Sequence, residues 1–348
     1  MTDPGDAAAG TPLVTVLIDT YNYGHFVEQA IESVLSQDFP PEQMEVLVVD
    51  DGSTDDTSER VKKFGARISY WYKPNGGQAS AFNFGLPHAR GEIVALLDAD
   101  DFWLPGKLKR VVEEFQSHPE VGMVSHGYLE QNEKTGKSLA ATLPLVSGDI
   151  PRDLRKIFAY CVYPTSALAF RREPLSRLLP VPESIRLSAD GYLALLVPFV
   201  ASVLALPDPL TVYRLHGRNL YSGTDNLAKQ RRIDAWFVLL RGMKTWFRAN
   251  GWRGKVPRLL LSHWALSQTG QQFLIKPPGR LRYFWFLVRQ NHTYSSQQSW
   301  KFTAFNYIAA FSALFLGYER SRLMQEGKGR TIEILRSFSK GFTGQGGP

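Results

Sequence analysis

Four short apolar runs separated by segments of helical periodicity constrain this chain more than any other feature. They are Val14-Thr15-Val16-Leu17-Ile18, Val46-Leu47-Val48-Val49, Ile68 to Tyr72 and Ile93 to Leu97. A strand without polar alternation is one buried on both faces. Between the first two, Gly24 to Gln37 places Phe26, Val27, Ala30, Ile31, Val34 and Leu35 on one helical face. Asp55 to Phe64, Gly77 to Ala89 and Leu104 to Ser117 also read as helices, and Val121 to Ser125 as another strand. This alternation predicts an α/β fold with a mostly parallel sheet flanked by helices. Beyond it, Gln131 to Lys137 suits a polar hairpin loop, and Ser166 to Phe170 and Val203 to Leu206 suit further strands. From Asn226 onward the pattern is α-helical, over Ala228 to Ala249, Lys255 to Gln272 and Arg280 to Gln290.

The predicted strands run into polar residues at their carboxyl ends, the edge where open α/β sheets hold ligands. These segments are Asp19-Thr20-Tyr21-Asn22, Asp50-Asp51-Gly52-Ser53-Thr54-Asp55, Lys73-Pro74-Asn75-Gly76-Gly77-Gln78 and Asp98-Ala99-Asp100-Asp101. Turn chemistry accounts for any one of them, but less readily for four at one edge. The last is the most demanding. Three carboxylates in four residues behind a buried strand repel one another, and unpaired buried charge costs several kcal/mol. A hard divalent cation with oxygen ligands relieves that cost, whereas a helix N-cap needs only one carboxylate.

The net charge of +7 hides a split. Residues 1–224 carry 20 Lys/Arg against 28 Asp/Glu, a net of −8, and residues 225–348 carry 20 against 5, a net of +15. A basic C-terminal region suggests nucleic acid or an anionic membrane surface. Its aromatic content favours the membrane: Tyr283-Phe284-Trp285-Phe286-Leu287-Val288 is flanked by Arg280, Arg282 and Arg289. Phe302 to Tyr318 is uncharged but shorter than the ~20 residues of a spanning helix, so it suits an interfacial helix or a buried helix of a soluble bundle. Met1 to Gly10 lacks the basic and apolar regions of a signal peptide and reads as a disordered tail. The single cysteine, Cys161, excludes an internal disulfide and fits a reducing compartment. The expected division is a tail over 1–10, an α/β domain over 11–224 and a basic, aromatic-rich helical region over 225–348.

Taken in order, T-Y-N at 20–22, V-V-D-D-G-S-T-D at 48–55, N-G-G-Q-A-S-A-x-N-x-G at 75–85 and L-D-A-D-D at 97–101 resemble the family 2 glycosyltransferases. These are inverting enzymes of the GT-A fold, and the likeness covers about residues 12–220. The resemblance implies a nucleotide-sugar site at Thr20, Tyr21, Asn22, Asp50, Asn75, Gly77, Gln78, Asn83 and Asp98. Tyr21 would lie against the base, since aromatic faces stack on bases. Asp50 would accept the ring N–H that a uracil or thymine offers. Phe82 stands where the family often has arginine. Asp100 would bind Mg²⁺ or Mn²⁺ directly, with Asp98 turned to the ribose or a bound water. Asp101 would take either part or cap the following helix. His216, in Tyr213-Arg214-Leu215-His216, would complete the metal shell or touch the diphosphate, and Arg214 or Arg218 would bind phosphate. Asp190, in Ser188-Ala189-Asp190-Gly191, would be the general base, with Ala189 where the family often has a second acidic residue.

The implied activity is inverting, metal-dependent transfer from a nucleotide sugar, UDP or dTDP favoured, to a glycan or lipid-linked hydroxyl in surface polysaccharide or glycoconjugate synthesis. The implied location is cytoplasmic, peripheral on the inner face of the cell membrane, with no nucleic-acid partner. Two alternatives stand beside it. A nucleotidyltransferase acting on a sugar phosphate would want a Gly-rich basic loop near the first strand, which 19–24 lacks. A non-catalytic membrane adaptor would not need both the D-x-D and Asp190. Neither H-E-x-x-H nor C-x-x-C occurs, which argues against zinc.

Overall fold

The computed structural model describes residues 11–217, 219, 225–294 and scattered positions between 303 and 322. The expected tail, Arg218 and most of the 302–318 run, including Phe302 and Phe305, lie outside the described residues. The chain forms two compact units, the first running to Pro257 and the second starting at Arg258.

In the first unit the apolar runs form β1 (Val14–Thr20), β2 (Met44–Asp50), β3 (Ser69–Tyr72) and β4 (Ile93–Asp98). Helices α1 (Gly24–Leu35), α2 (Thr57–Lys62) and α3 (Gln78–Gly85) connect them. Then come β5 (Phe102–Trp103), α4 (Lys107–Ser117), β6 (Val121–Asn132), β7 (Ser138–Ala140), α5 (Leu154–Ala159), β8 (Leu168–Arg171), α6 (Arg172–Ser176), α7 (Ala189–Leu196) and β9 (Ser202–Leu215). The sheet order is β3-β2-β1-β4-β8-β6-β9-β5, with β7 paired to β6 at the side. Strands β1 to β4 pair in parallel, whereas β8 is antiparallel to both β4 and β6, so the sheet is mixed. The polar segment after β6 makes the expected hairpin into β7.

Both faces of β1, β2 and β4 are covered, as their unbroken apolar runs require, whereas β3 at the sheet edge stays half-exposed. On one face Val16, Ile18, Val48 and Leu97 pack with Val27, Ala30 and Ile31 of α1 and with Leu108, Val111 and Phe115 of α4. On the other, Gly85 of α3 lies so close to Leu17 and Val49 that an added Cβ would stand 2.6 Å from Leu17 Cδ1. Each such side chain contributes roughly 1.5–3 kcal/mol on full burial. The helix expected from Leu104 begins instead at Lys107. Phe102 and Trp103 are drawn into β5, antiparallel to Val212 and Thr211 of β9, and Gly106 turns the chain at φ +81°.

Helix α8 (Asn226–Ala249) belongs to the first unit, although the charge split groups it with the basic region. It buries Trp236, Leu239, Leu240 and Met243 and packs on α7; Leu239 reaches within 3.2 Å of a Cβ built on Gly191. Burial of its apolar face outweighs the shared charge sign, because exposed charges are screened and weak. Helix α9 (Lys255–Ile275) crosses the boundary, and α10 (Arg280–Tyr294) lies in the second unit. There Phe273, Tyr283, Leu287, Ala310, Ala313 and Tyr318 form a small core, with Phe284 and Phe286 partly buried against it. No helix among the described residues is long and apolar enough to cross a membrane.

Candidate functional site

The register of the parallel strands brings the carboxyl-end residues to one line. Asp19 of β1 stands opposite Asp98 of β4, and Thr20 opposite Asp50 of β2. Oxygens of Asp98, Asp100 and Asp101 lie within 4.8 Å of one another. Burial, then the Asp19 and Asp100 carboxylates, pushes Asp98 well above the ordinary carboxylate range. Asp101 is pushed up by burial and Asp100. Asp19 rises to about 7, first through burial, while its hydrogen bond with Asp98 pulls the other way.

The three carboxylates differ in what holds them. Asp101 is fully buried, and both its oxygens are taken: Ser166 Oγ donates to Oδ2 at 2.6 Å and the Arg214 N–H to Oδ1 at 3.0 Å. It anchors the loop and does not cap α4. Asp100 is buried, with His216 Nε2 at 3.0 Å from Oδ2 and Asn219 Nδ2 at 3.4 Å, while Asp98 is the half-buried member of the three. The Tyr23 hydroxyl also hydrogen bonds to Asp100. Asp98 accepts from Gln78 Nε2 at 3.4 Å, and its backbone N–H donates to Ser166 Oγ. Arg214, expected as a phosphate ligand, is spent on the protein. Its guanidinium donates to Gln29 Oε1 and the Asp101 carbonyl and lies 4.6 Å over the Phe26 ring.

The residues expected to meet the nucleotide are organised around Asp51. Its carboxylate accepts from Lys73 Nζ at 2.6 Å, Gly77 N–H at 2.7 Å and Gly76 N–H at 3.0 Å, folding the 73–77 segment over the β2 end. Gly77 adopts φ +86°, and a Cβ there would meet Arg186 Cα at 2.8 Å. Asp50 is fully buried and accepts from Ser53 N–H at 2.7 Å and Tyr70 OH at 2.8 Å. Asn22, at φ 56°, accepts from the Thr54 N–H, which joins the β1 and β2 loops and leaves Tyr21 42% exposed above them. Asn75 donates to the Asp51 carbonyl and accepts from Arg186 Nη2.

Two residues of the expected nucleotide site do other work. Both amide atoms of Asn83 pair with the Val181 backbone at 2.8 Å, away from the sheet edge. Helical spacing puts Asn83 more than a turn beyond Gln78, which carries it off the donor loop. Gln78 spans from β4 to α7: Nε2 reaches Asp98 Oδ1 and Thr165 Oγ1, and Oε1 accepts the Ala189 N–H at 2.8 Å. That bond satisfies an otherwise orphaned donor at the α7 N-terminus. It also places Asp190, in the first turn of α7, on the same cluster. Burial raises the Asp190 carboxyl above its ordinary value, against hydrogen bonds from the Gly191 backbone and the Thr165 side chain.

Sequence reasoning left out Asp19, Tyr23, Thr165, Ser166 and Asn219. Asp19 carried the signal used for Asp98, a carboxylate ending a buried strand; its Oδ1 is buried with no hydrogen-bond partner. Asn219 accepts from the His216 backbone N–H and donates to the Arg214 carbonyl. Thr165 and Ser166 lie in an ordinary P-T-S-A stretch, and nothing local marks them. The cluster fits a hard divalent cation: several oxygens converge, burial penalises their charge, and Asp19 Oδ1 lacks a donor.

A mixed sheet with flanking helices and acidic residues at its carboxyl edge defines a GT-A-type fold. Solved structures agree on that fold. S. aureus TarS 1-349 in complex with UDP-GlcNAc matches with a TM-score of 0.59 at 17% identity, over 87% of this chain and 92% of that one. The mannosyltransferase PcManGT from Pyrobaculum calidifontis, in complex with GDP-Man and Mn²⁺, matches at 0.52 and 23% identity, over 93% and 86%. Residues 15–179 match the family model described as Glycosyl transferase family 2. An uncharacterized glycosyltransferase of Nostoc sp. is 38% identical over 213 residues, 59% of this chain and 66% of the relative. One of Mycoplasma pneumoniae is 32% identical over 155 residues, 43% of this chain. The chain spans 66% and 51% of these two relatives.

Proposed function

We propose that this chain is an inverting glycosyltransferase that moves a sugar from a UDP or dTDP donor to an acceptor hydroxyl, with Asp190 as general base. The observation that carries the reading is the position of Asp190: half-buried in the first turn of α7, facing Asp19 and Asp98, with its carboxyl raised. A raised carboxylate is a better proton acceptor near neutral pH. Asp190 takes the acceptor proton as the hydroxyl attacks the anomeric carbon, and the bond to the diphosphate breaks on the opposite face. One displacement gives inversion without a covalent intermediate. Asp100, Asp98 and His216 would hold Mg²⁺ or Mn²⁺, which when bound neutralises charge on a leaving diphosphate. Tyr21 and Asp50 frame the base; each Asp50 oxygen keeps a second lone-pair site for a ring N–H.

The acceptor is lipid-linked or a glycan of a surface polysaccharide or glycoconjugate, and the enzyme works at the cytoplasmic face of an anionic membrane. Support comes from the second unit, where Leu281, Trp285 and Phe311 are more than half exposed and Arg280, Arg282 and Arg289 are exposed along α10. The governing experiment measures transfer and donor hydrolysis against UDP-, dTDP- and GDP-sugars, with Mn²⁺ and with EDTA. Turnover of a UDP- or dTDP-sugar only with metal is expected. Equal turnover in EDTA removes the metal from the reading, and exclusive use of GDP-sugars removes the donor assignment.

A further inference from the structure

The residues between the metal-binding carboxylates and the base belong to one turn, Thr165–Ala167, entering β8. Ser166, fully buried, donates to Asp101 Oδ2 at 2.6 Å and accepts the Asp98 N–H at 3.1 Å, so it ties both ends of the acidic loop. Its own carbonyl is held from below by Lys107 Nζ at 2.6 Å and Trp103 Nε1 at 3.2 Å, with the Lys107 ammonium 3.8 Å over the Trp103 ring. The next-door hydroxyl, Thr165, is 2% exposed and faces the other way, bonded to the Asp190 carboxyl and accepting from Gln78 Nε2 at 3.2 Å.

We infer that the Thr165–Ser166 turn is the positioning element that sets the base against the metal-binding carboxylates: Ser166 fixes the Asp98–Asp101 loop, Thr165 fixes Asp190, and Gln78 braces the two. The inference rests on the reading of Asp190 as base. Two adjacent peptide units in a rigid turn give a fixed offset between groups that arrive on different elements, β4 and α7. Groups held only by loops would lose about an ångström of register, enough to cost ~10² in rate. Residues that support metal ligands typically change metal affinity by about 10–100-fold when removed. The groups that face Asp190 are the Asp19 and Asp98 carboxylates, the Thr165 hydroxyl and the Gly191 backbone N–H.

The binding and titration measurements use the full chain and no sugar donor. Free Mn²⁺ is titrated by electron paramagnetic resonance in the presence of UDP. The Asp190 midpoint is followed by carboxyl-carbon NMR, the resonance being the one missing from Asp190→Asn. Thr165→Val should raise the midpoint by about one unit, because a hydrogen bond to the charged form is lost, and Thr165→Ser should restore it. Ser166→Ala should weaken Mn²⁺ binding by about tenfold; if it does not fold, Ser166→Cys keeps the shape with a weaker donor and gives the same direction. An unmoved midpoint in Thr165→Val, or native Mn²⁺ affinity in the folded Ser166 variant, reduces the turn to packing. Full turnover in Asp190→Asn would remove the base reading instead, leaving both of these measurements interpretable.

Discussion

His216 Nε2 lies 3.0 Å from Asp100 Oδ2, across 116 residues of sequence. The imidazole is wedged between Phe26, 4.7 Å away by ring centroid, and Tyr23, at 5.6 Å. A ring held this way, with its side chain 1% exposed, keeps its nitrogen at the Asp100 carboxylate.

Asp100→Asn is therefore expected to abolish metal-dependent transfer and to weaken donor binding in Mn²⁺, since a charged oxygen ligand is lost from a hard-cation site. Isothermal titration of the donor nucleotide with and without Mn²⁺ checks it. Equal affinity of mutant and wild type in Mn²⁺ would exclude Asp100 as a ligand.

Asp190→Asn should leave donor binding nearly intact and lower turnover by ~10²–10⁴, the usual size of general-base catalysis. Burial lifts this carboxyl, so activity should fall as pH drops through a midpoint above 3.8. Rates flat down to pH 4 would assign the proton transfer to another group.

Metal and pH should act together on stability. Asp19 titrates at about 7 in the folded state against 3.8 for the unreacted side chain. A carboxyl raised on folding contributes stability below the unfolded value and loses it as pH rises toward the folded value. Buried His126, pulled down by burial, acts in the opposite direction below pH 6.5, so the clean observable is the gain in Tm on adding Mn²⁺. That gain should be larger at pH 8 than at pH 5, where protons compete for the same oxygens. A gain independent of pH would place the cation away from this cluster.

Gly77→Ala should destabilise the donor loop. Its φ of +86° disfavours any L side chain, and the new Cβ would press on the Arg186 backbone at 2.8 Å. The left-handed conformation alone costs roughly 1–2 kcal/mol. Thermal denaturation reads the loss; an unchanged Tm would mean that the loop relaxes freely.

In flotation with vesicles containing anionic phosphatidylglycerol, the full chain should rise with the lipid, and Trp285→Ala with Phe311→Ala should reduce that fraction. High salt should weaken binding without abolishing it, because screening acts on charge and not on buried rings. Protein remaining at the bottom with anionic vesicles at low salt would remove the membrane from the reading.

The apolar runs at β1, β2 and β4 were legible because burial on both faces demands unbroken hydrophobicity, and the carboxylates behind them because charge at such an edge needs a partner. The family resemblance also marked Asp190, which lies in the first turn of α7. Tertiary structure alone decided the rest. The antiparallel insertion of β8 makes the sheet mixed, and no residue within Leu168–Arg171 announces its direction. Asn83 and Arg214 look like ligands in sequence, but the Asn83 amide pairs with Val181 and both Arg214 Nη atoms pair with Gln29 and Asp101. Thr165 and Ser166 look like nothing in sequence and stand between Asp190 and the acidic loop. A polar side chain's role depends on which donors and acceptors surround it after folding. Those neighbours arrive from strands and helices far apart in the chain, so sequence sets which groups exist and packing sets which of them remain free to meet a substrate.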